Sequence, residues 1–221
     1  MMNARDEILG RLRAAGNGPA APLPPVWRSR RDFDDLAAQF TQAAIAAKAE
    51  VRRAVDWETA VIELGTLLRE IKIGTAVVND DGPLAGVDWH GRFPDIQWHL
   101  VGQTAGDLRA YCAAADAGLS SADAALAETG SVIISSGPGQ SRMATLLPPI
   151  HIVLLPTSRL TSDLFTWTQA RQAPTPANIT LISGPSKTAD IEQTMAVGVH
   201  GPKRFIVILY DDAFPAPLRL A

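Results

Sequence analysis

Hydrophobic positions fall into two rhythms along the chain, and their alternation predicts an α/β protein. Phe33, Leu36, Phe40 and Ala44 recur at steps of three and four, the spacing of a helix with one buried face, and Asp32 stands where its N-cap would be. Trp57, Val61, Leu64 and Leu68 repeat the pattern behind a second candidate cap, Asp56. Residues 107–115 predict a further helix, and so does the stretch through Phe165, Trp167 and Ala170, capped by Thr161 or Ser162. Between these lie segments too short for helices, many bounded by Gly, Pro, Asn or Asp: 50–55, 75–78, 96–101, 132–134, 150–155, 178–183 and 204–210. They predict strands, with 132–134 and 150–155 as core strands. Strands alternating with helices predict a mostly parallel sheet covered on both faces.

The first residues break this rhythm. Ile8, Leu9 and Leu12 predict a short amphipathic helix over 6–15, stopped by Gly16, Asn17, Gly18 and Pro19. Residues 19–31 then hold four prolines, Trp27 and three arginines, which suits an extended arm. The expected organisation is therefore a helix and Pro-rich arm over 1–31, followed by one α/β domain over 32–221. A chain of 221 residues is long enough to bury such a core without a disulfide or metal staple.

Composition narrows the function by exclusion. With 20 basic and 23 acidic side chains the net charge is −3, which argues against a general affinity for nucleic acid. No apolar run approaches the roughly 18 residues of a membrane span, and the acidic start lacks a signal-peptide core. The expectation is a soluble, cytoplasmic protein. The single cysteine, Cys112, cannot form a disulfide within the chain and cannot supply the about four thiolates of an iron–sulfur cluster. It reads as a small buried hydrophobe. His151, His200, Glu128 and Asp190 are scattered without short ligand spacing, so no metal site is expected.

Candidate chemistry concentrates in two stretches. The first runs from Glu128 through Thr129, Gly130 and Ser131 to the Gly137-Pro138-Gly139 loop and Arg142, at the ends of the core strands, where open α/β sheets place their sites. The second is Ser183-Gly184-Pro185-Ser186-Lys187-Thr188, followed by Gly198 to Lys203 with His200. A strand ending in Ser-Gly and feeding a short helix near Thr188 would aim free N–H groups at an anion, with Lys187 adding charge. Neither stretch completes a nucleotide motif: Ser186 occupies the place of the P-loop glycine before Lys187, and Arg142 the third glycine of a dinucleotide fingerprint.

Read together, these stretches resemble the LUD-domain family, in particular its lactate utilization protein C (LutC/YkgG) group. The resemblance rests on Ala-Glu-Thr-Gly-Ser at 127–131, Arg142 with Leu-Leu-Pro-Pro-Ile-His at 146–151, Ser-Gly-Pro-Ser-Lys-Thr-Ala-Asp-Ile-Glu at 183–192, and Gly-Val-His-Gly-Pro at 198–202. Lys187 stands where the pattern has Arg, and Ser131 where it has Thr. The resemblance implies a three-layer α/β/α sandwich similar to the NagB/RpiA/CoA-transferase group. It also implies a part in oxidising L-lactate to pyruvate beside two partners that resemble iron–sulfur proteins, this chain carrying no redox cofactor of its own.

Each candidate residue admits two readings. Glu128 is a general base or carboxylate nucleophile, or it ties down its loop by accepting N–H bonds. Arg142 clamps a substrate carboxylate in its loop, or pairs internally with Glu128 or Asp123. His200 is free to act as acid, base or donor, or is an ordinary loop histidine. Thr129, Gly130, Ser131, Ser183, Gly184, Ser186, Lys187 and Thr188 are the expected anion-binding positions. His151, Trp98 and His99 read as packing, and Asp190 and Glu192 as dipole and capping groups. Three functions follow: a non-redox component of a lactate-oxidising system that binds a small carboxylate or other anion, an independent CoA-transferase-like or isomerase-like enzyme on a phosphorylated or CoA-linked acid, and an assembly subunit without its own site.

Overall fold

A computed structural model of the chain describes residues 4–14, 31–171, 175–189, 195–197 and 200–212. In order, the elements are α1 (Ala4–Ala14), α2 (Leu36–Ala46), β1 (Glu50–Ala54), α3 (Trp57–Glu70), β2 (Thr75–Val78), α4 (Trp89–Arg92), β3 (Gln97–Leu100) and α5 (Leu108–Ala114). There follow β4 (Ala117–Ser120), β5 (Ala124–Leu126), β6 (Ser131–Ser135), α6 (Arg142–Leu146), β7 (Ile150–Pro156), β8 (Leu160–Thr161) and α7 (Leu164–Ala170). The last four are β9 (Ile179–Ile182), β10 (Lys187–Ala189), β11 (Met195–Val197) and β12 (Arg204–Tyr210).

Six strands form one parallel sheet in the order β1-β12-β7-β4-β2-β3. β7 and β12 at its centre are buried on both faces, which is why they read as continuous apolar runs rather than alternating ones. Ile152, Leu154, Ile206 and Ile208 meet Leu64, Leu67 and Leu68 of α3 and the indoles of Trp89 and Trp98 on one face. On the other, Val153, Leu155, Val207 and Leu209 meet Phe40 and Ala44 of α2, while α5 and α6 cover Val77. The architecture is the expected α/β sandwich.

The second face holds a feature that the strand pattern did not reveal. β6 does not join β7 in the central sheet; it lies in a four-stranded sheet, β8-β5-β6-β9, antiparallel to both β5 and β9. Val132 and Ile134 point into the central core, and Ile133 points outward to Trp167 of α7 and Ile179. The strand expected at 178–183 belongs to this sheet as well. Apolar runs of this length are the same whether they enter one sheet or another, so sequence alone could not separate them.

Several ends move. Asp35, not Asp32, caps α2 through the N–H groups of Ala37 and Ala38. Asp163, not Thr161 or Ser162, caps α7 through Thr166. Asp56 caps α3 as expected, accepting from Thr59 at 2.7 Å. The helix expected near Thr188 is replaced by strand β10, paired antiparallel with β11. Arg142, expected in a loop, is the first residue of α6, behind the N-cap Ser141. α1 buries none of its residues; most of the 19–31 arm, with Asp190 and Glu192, lies outside the described residues.

Candidate functional site

In an all-parallel sheet the carboxyl ends of the strands share one edge, and a crevice opens where neighbouring connections leave in opposite directions. Here β2 connects outward to β3, while β4 connects the other way, through the small sheet, to β7. The crevice therefore lies between the ends of β2 and β4, where the chain continues as Asn79-Asp80-Asp81-Gly82 and as Ser121-Ala122-Asp123.

Hydrogen bonds tie the loop before α6 to this edge. Asn79 Oδ1 accepts from the Ser141 N–H at 3.0 Å, the Asp80 N–H donates to the Gly139 carbonyl at 2.9 Å, and Gln140 Nε2 donates to Asp81 Oδ2 at 2.7 Å. Gly139 has φ +72° and lies so close to the Asp80 carbonyl that a Cβ would collide with it, so glycine is required at this turn. At the other end of the contact α6 lies on β4 at Gly118, where a Cβ would strike the Ala144 carbonyl oxygen. Arg142 is thereby placed at the carboxyl edge, exposed, with no carboxylate in ion-pair distance among the described residues.

The internal partners considered for Arg142 are engaged elsewhere. Glu128 forms an ion pair with Arg31, and Asp123 Oδ2 accepts from the Ser135 N–H at 2.8 Å. Asp81, in the segment that follows β2, is the unexpected group at this edge. Its Oδ1, Asn79 Nδ2 and Ser121 Oγ are buried without hydrogen-bond partners among the described residues. Burial pushes the Asp81 carboxyl up to about 6, opposed by the Gln140 hydrogen bond and the Arg159 charge and assisted by the nearby charges of Asp123 and Asp80. Three consecutive Asn-Asp-Asp residues directly after a buried Ala-Val-Val strand were the signal available for it.

The remaining candidates gather away from Arg142. Thr129 Oγ1, Ser131 Oγ and Ser183 Oγ form a chain of hydroxyls with spacings of 2.7 and 2.6 Å. Gly130, at φ +64°, packs against the backbone of Ala43 and Ala44, and Gly184 against Ala47. Lys187 Nζ donates to the Ala47 carbonyl at 3.1 Å, a cation at the negative end of α2. The Ser186 N–H is already taken by the Pro202 carbonyl at 2.8 Å. With that donor occupied and β10 in place of a helix, the helix-start anion site at Ser183–Thr188 loses its basis. Exposed His200 adjoins Gly201, which packs near Ser186 and the Leu146 carbonyl at the far end of α6. The structure thus joins Thr129, Ser131 and Ser183, and sets Arg142 at the opposite end of α6 from Gly201.

Two further groups are settled by burial. His151 is fully buried, its Nε2 is 2.9 Å from Ser120 Oγ, and desolvation pulls its pKa down to about 3. It is a neutral core histidine, as expected. Cys112 is buried and its thiol is pushed up to about 11, which leaves negligible thiolate at neutral pH. Among the described residues no three His, Cys, Asp or Glu side chains converge to hold a metal ion, and no helix is long and apolar enough to cross a membrane.

The LUD domain model matches residues 37–210, the span of both sheets and their covering helices. The chain belongs to the LUD-domain family. Among LUD-domain relatives, lactate utilization protein C 1 of Bacillus mycoides is 32% identical over 221 aligned positions that cover 93% of each chain. Lactate utilization protein C of Halalkalibacterium halodurans is 41% identical over 104 residues, 44% of this chain and 45% of that one. An uncharacterized protein of Neisseria meningitidis is 40% identical over 108 residues, 47% of this chain; the match spans 46% of that protein's length. The fold is also that of a crystal structure of a DUF162 family protein from Deinococcus radiodurans, with a TM-score of 0.50 at 19% identity over 79% of this chain and 96% of that one.

Proposed function

We propose that this LUD-domain chain is a non-redox component of a bacterial system that oxidises L-lactate to pyruvate in the cytoplasm. Electrons pass through partner proteins that carry iron–sulfur clusters, since one buried cysteine cannot ligate a cluster here. The observation that carries the reading is the end-to-end likeness to a protein named for lactate utilization, 93% of both chains. Within the chain, Arg142 is the receptor for the carboxylate of the hydroxy acid or its product. An exposed guanidinium at the carboxyl edge of a parallel sheet, without a carboxylate partner among the described residues, is suited to two-point recognition of a planar anion. Glu128, held by Arg31, and the Thr129–Ser131–Ser183 hydroxyl chain then support the loop framework instead of meeting substrate.

The test co-produces the chain with its cysteine-rich partners and follows L-lactate-dependent reduction of an artificial electron acceptor. Omission of the chain should abolish the activity. Arg142→Lys keeps the charge and loses the planar contact. Hydrogen bonds to charged groups are worth about 1.5 to 3 kcal/mol, so activity should fall roughly tenfold or more, with the melting temperature unchanged. Full activity in Arg142→Lys refutes the receptor role, and full activity without the chain refutes the component role.

A further inference from the structure

A second cation stands at the carboxyl edge, beyond β7. The turn Thr157–Arg159 leads into β8, and Arg159, half-buried, donates from one terminal nitrogen to the Asp123 carbonyl at 3.2 Å. That bond lays the guanidinium along the wall of a pocket of about 210 Å³ between β5, β8 and α7. Arg159 makes no ion pair with any carboxylate among the described residues. Trp167 also lines it, with the Arg171 guanidinium 5.8 Å from its ring centroid. Ala124, Leu160 and Ala170 complete an apolar floor.

From this arrangement we infer that the pocket between β8 and α7 binds a small organic monocarboxylate, its carboxylate on Arg159 and its body against the Trp167 ring. Three features set the class. Asp123 lines the pocket too, but its Oδ2 is engaged by the Ser135 N–H, which leaves the Arg159 guanidinium to meet a single carboxylate. The Trp167 ring and the alanine and leucine floor offer contact to carbon, which a bare inorganic ion does not use. The volume lies below the roughly 300 Å³ at which pockets for drug-sized ligands begin, so the acid is small. Open α/β sheets bind ligands outside the carboxyl ends of their strands, the same edge of the sheet. The site is separate from Arg142 and does not depend on the lactate reading.

Calorimetric titration of the full chain with benzoate, pyruvate, L-lactate and inorganic phosphate tests it directly, without any partner protein. At least one of the three acids should bind one to one at millimolar concentration or better, and phosphate should not compete. Arg159→Gln should weaken binding about tenfold or more. Ala170 is exposed at the end of α7, so Ala170→Leu fills the pocket without entering the core and should weaken binding to a similar degree even if Arg159→Gln proves unstable. Carried out in the Arg142→Lys background, which removes the receptor proposed for lactate, the titration reads this pocket alone. Absence of binding by all three acids overturns the inference, as does phosphate binding as tightly as the acids. Normal binding by Ala170→Leu likewise overturns it.

Discussion

Asp81 should make the protein less stable as pH rises through the weakly acidic range, and Asp81→Asn should remove that dependence. The carboxyl is shifted from 3.8 to about 6, chiefly by burial. Between those values the folded chain holds a proton that the unfolded chain has released, so the unfolded state binds fewer protons and stability falls with increasing pH. A rise of about two units at about 1.4 kcal/mol each gives about 3 kcal/mol, an upper bound, fully expressed above pH 6 and absent below about pH 4. The amide oxygen of the variant can still accept from Gln140 Nε2, now at 2.7 Å, so the main change is loss of the charge. For a chain of this size each kcal/mol moves the melting temperature by roughly 2 to 4 °C. Asp81→Asn should therefore melt up to about 6 to 12 °C above the parent at pH 8, with the gap closing toward pH 4. Urea denaturation across pH 4 to 8 measures the same difference. A variant less stable than the parent at pH 8, or a gap that does not vary with pH, would refute the argument.

Gly118→Ala should push α6 off β4, because the new Cβ meets the Ala144 carbonyl and backbone cannot swing aside; overpacking of this kind costs typically about 1 to 3 kcal/mol, read as a lowered melting temperature. Gly137→Ala is its control, since a Cβ there meets only the side-chain oxygen of Gln140 at 3.5 Å and stability should stay within about 0.5 kcal/mol. The ring of His151, with its pKa lowered to about 3, should keep the NMR signature of neutral imidazole from pH 8 down to pH 4.5; titration in that range would mean that the ring reaches water.

The helices and central strands were legible in the chain because their signals are local and repeated. Val61, Leu64 and Leu68 bury the stripe that the steps of three and four announce, and Asp56 caps α3 from the residue before it. β7 and β12 declare burial on both faces by the runs 152–155 and 205–209, which have no polar positions to alternate with. The five-residue α6 lacks such repetition: it exists because Ser141 caps it, Asn79 holds Ser141, and Gly118 lets it settle on β4. These contacts join residues far apart in sequence, so Arg142 read as part of a loop.

The same division holds for the candidate site. Residue types and spacing alone pointed to Arg142 as an anion receptor candidate, to His151 as packing and to the small-residue turns around Gly130 and Gly184. The three hydroxyls of Thr129, Ser131 and Ser183 were singled out from two separate stretches, and β9 brings them together beside β6. What only the tertiary structure decided was which groups meet. The Arg31–Glu128 pair, the burial of Asp81 Oδ1 and the placing of Arg159 and Trp167 around one pocket each depend on how separate segments pack. Periodicity specifies which face of an element is buried, whereas the neighbour across that face, and with it the charge and solvent exposure of a side chain, is set by long-range packing.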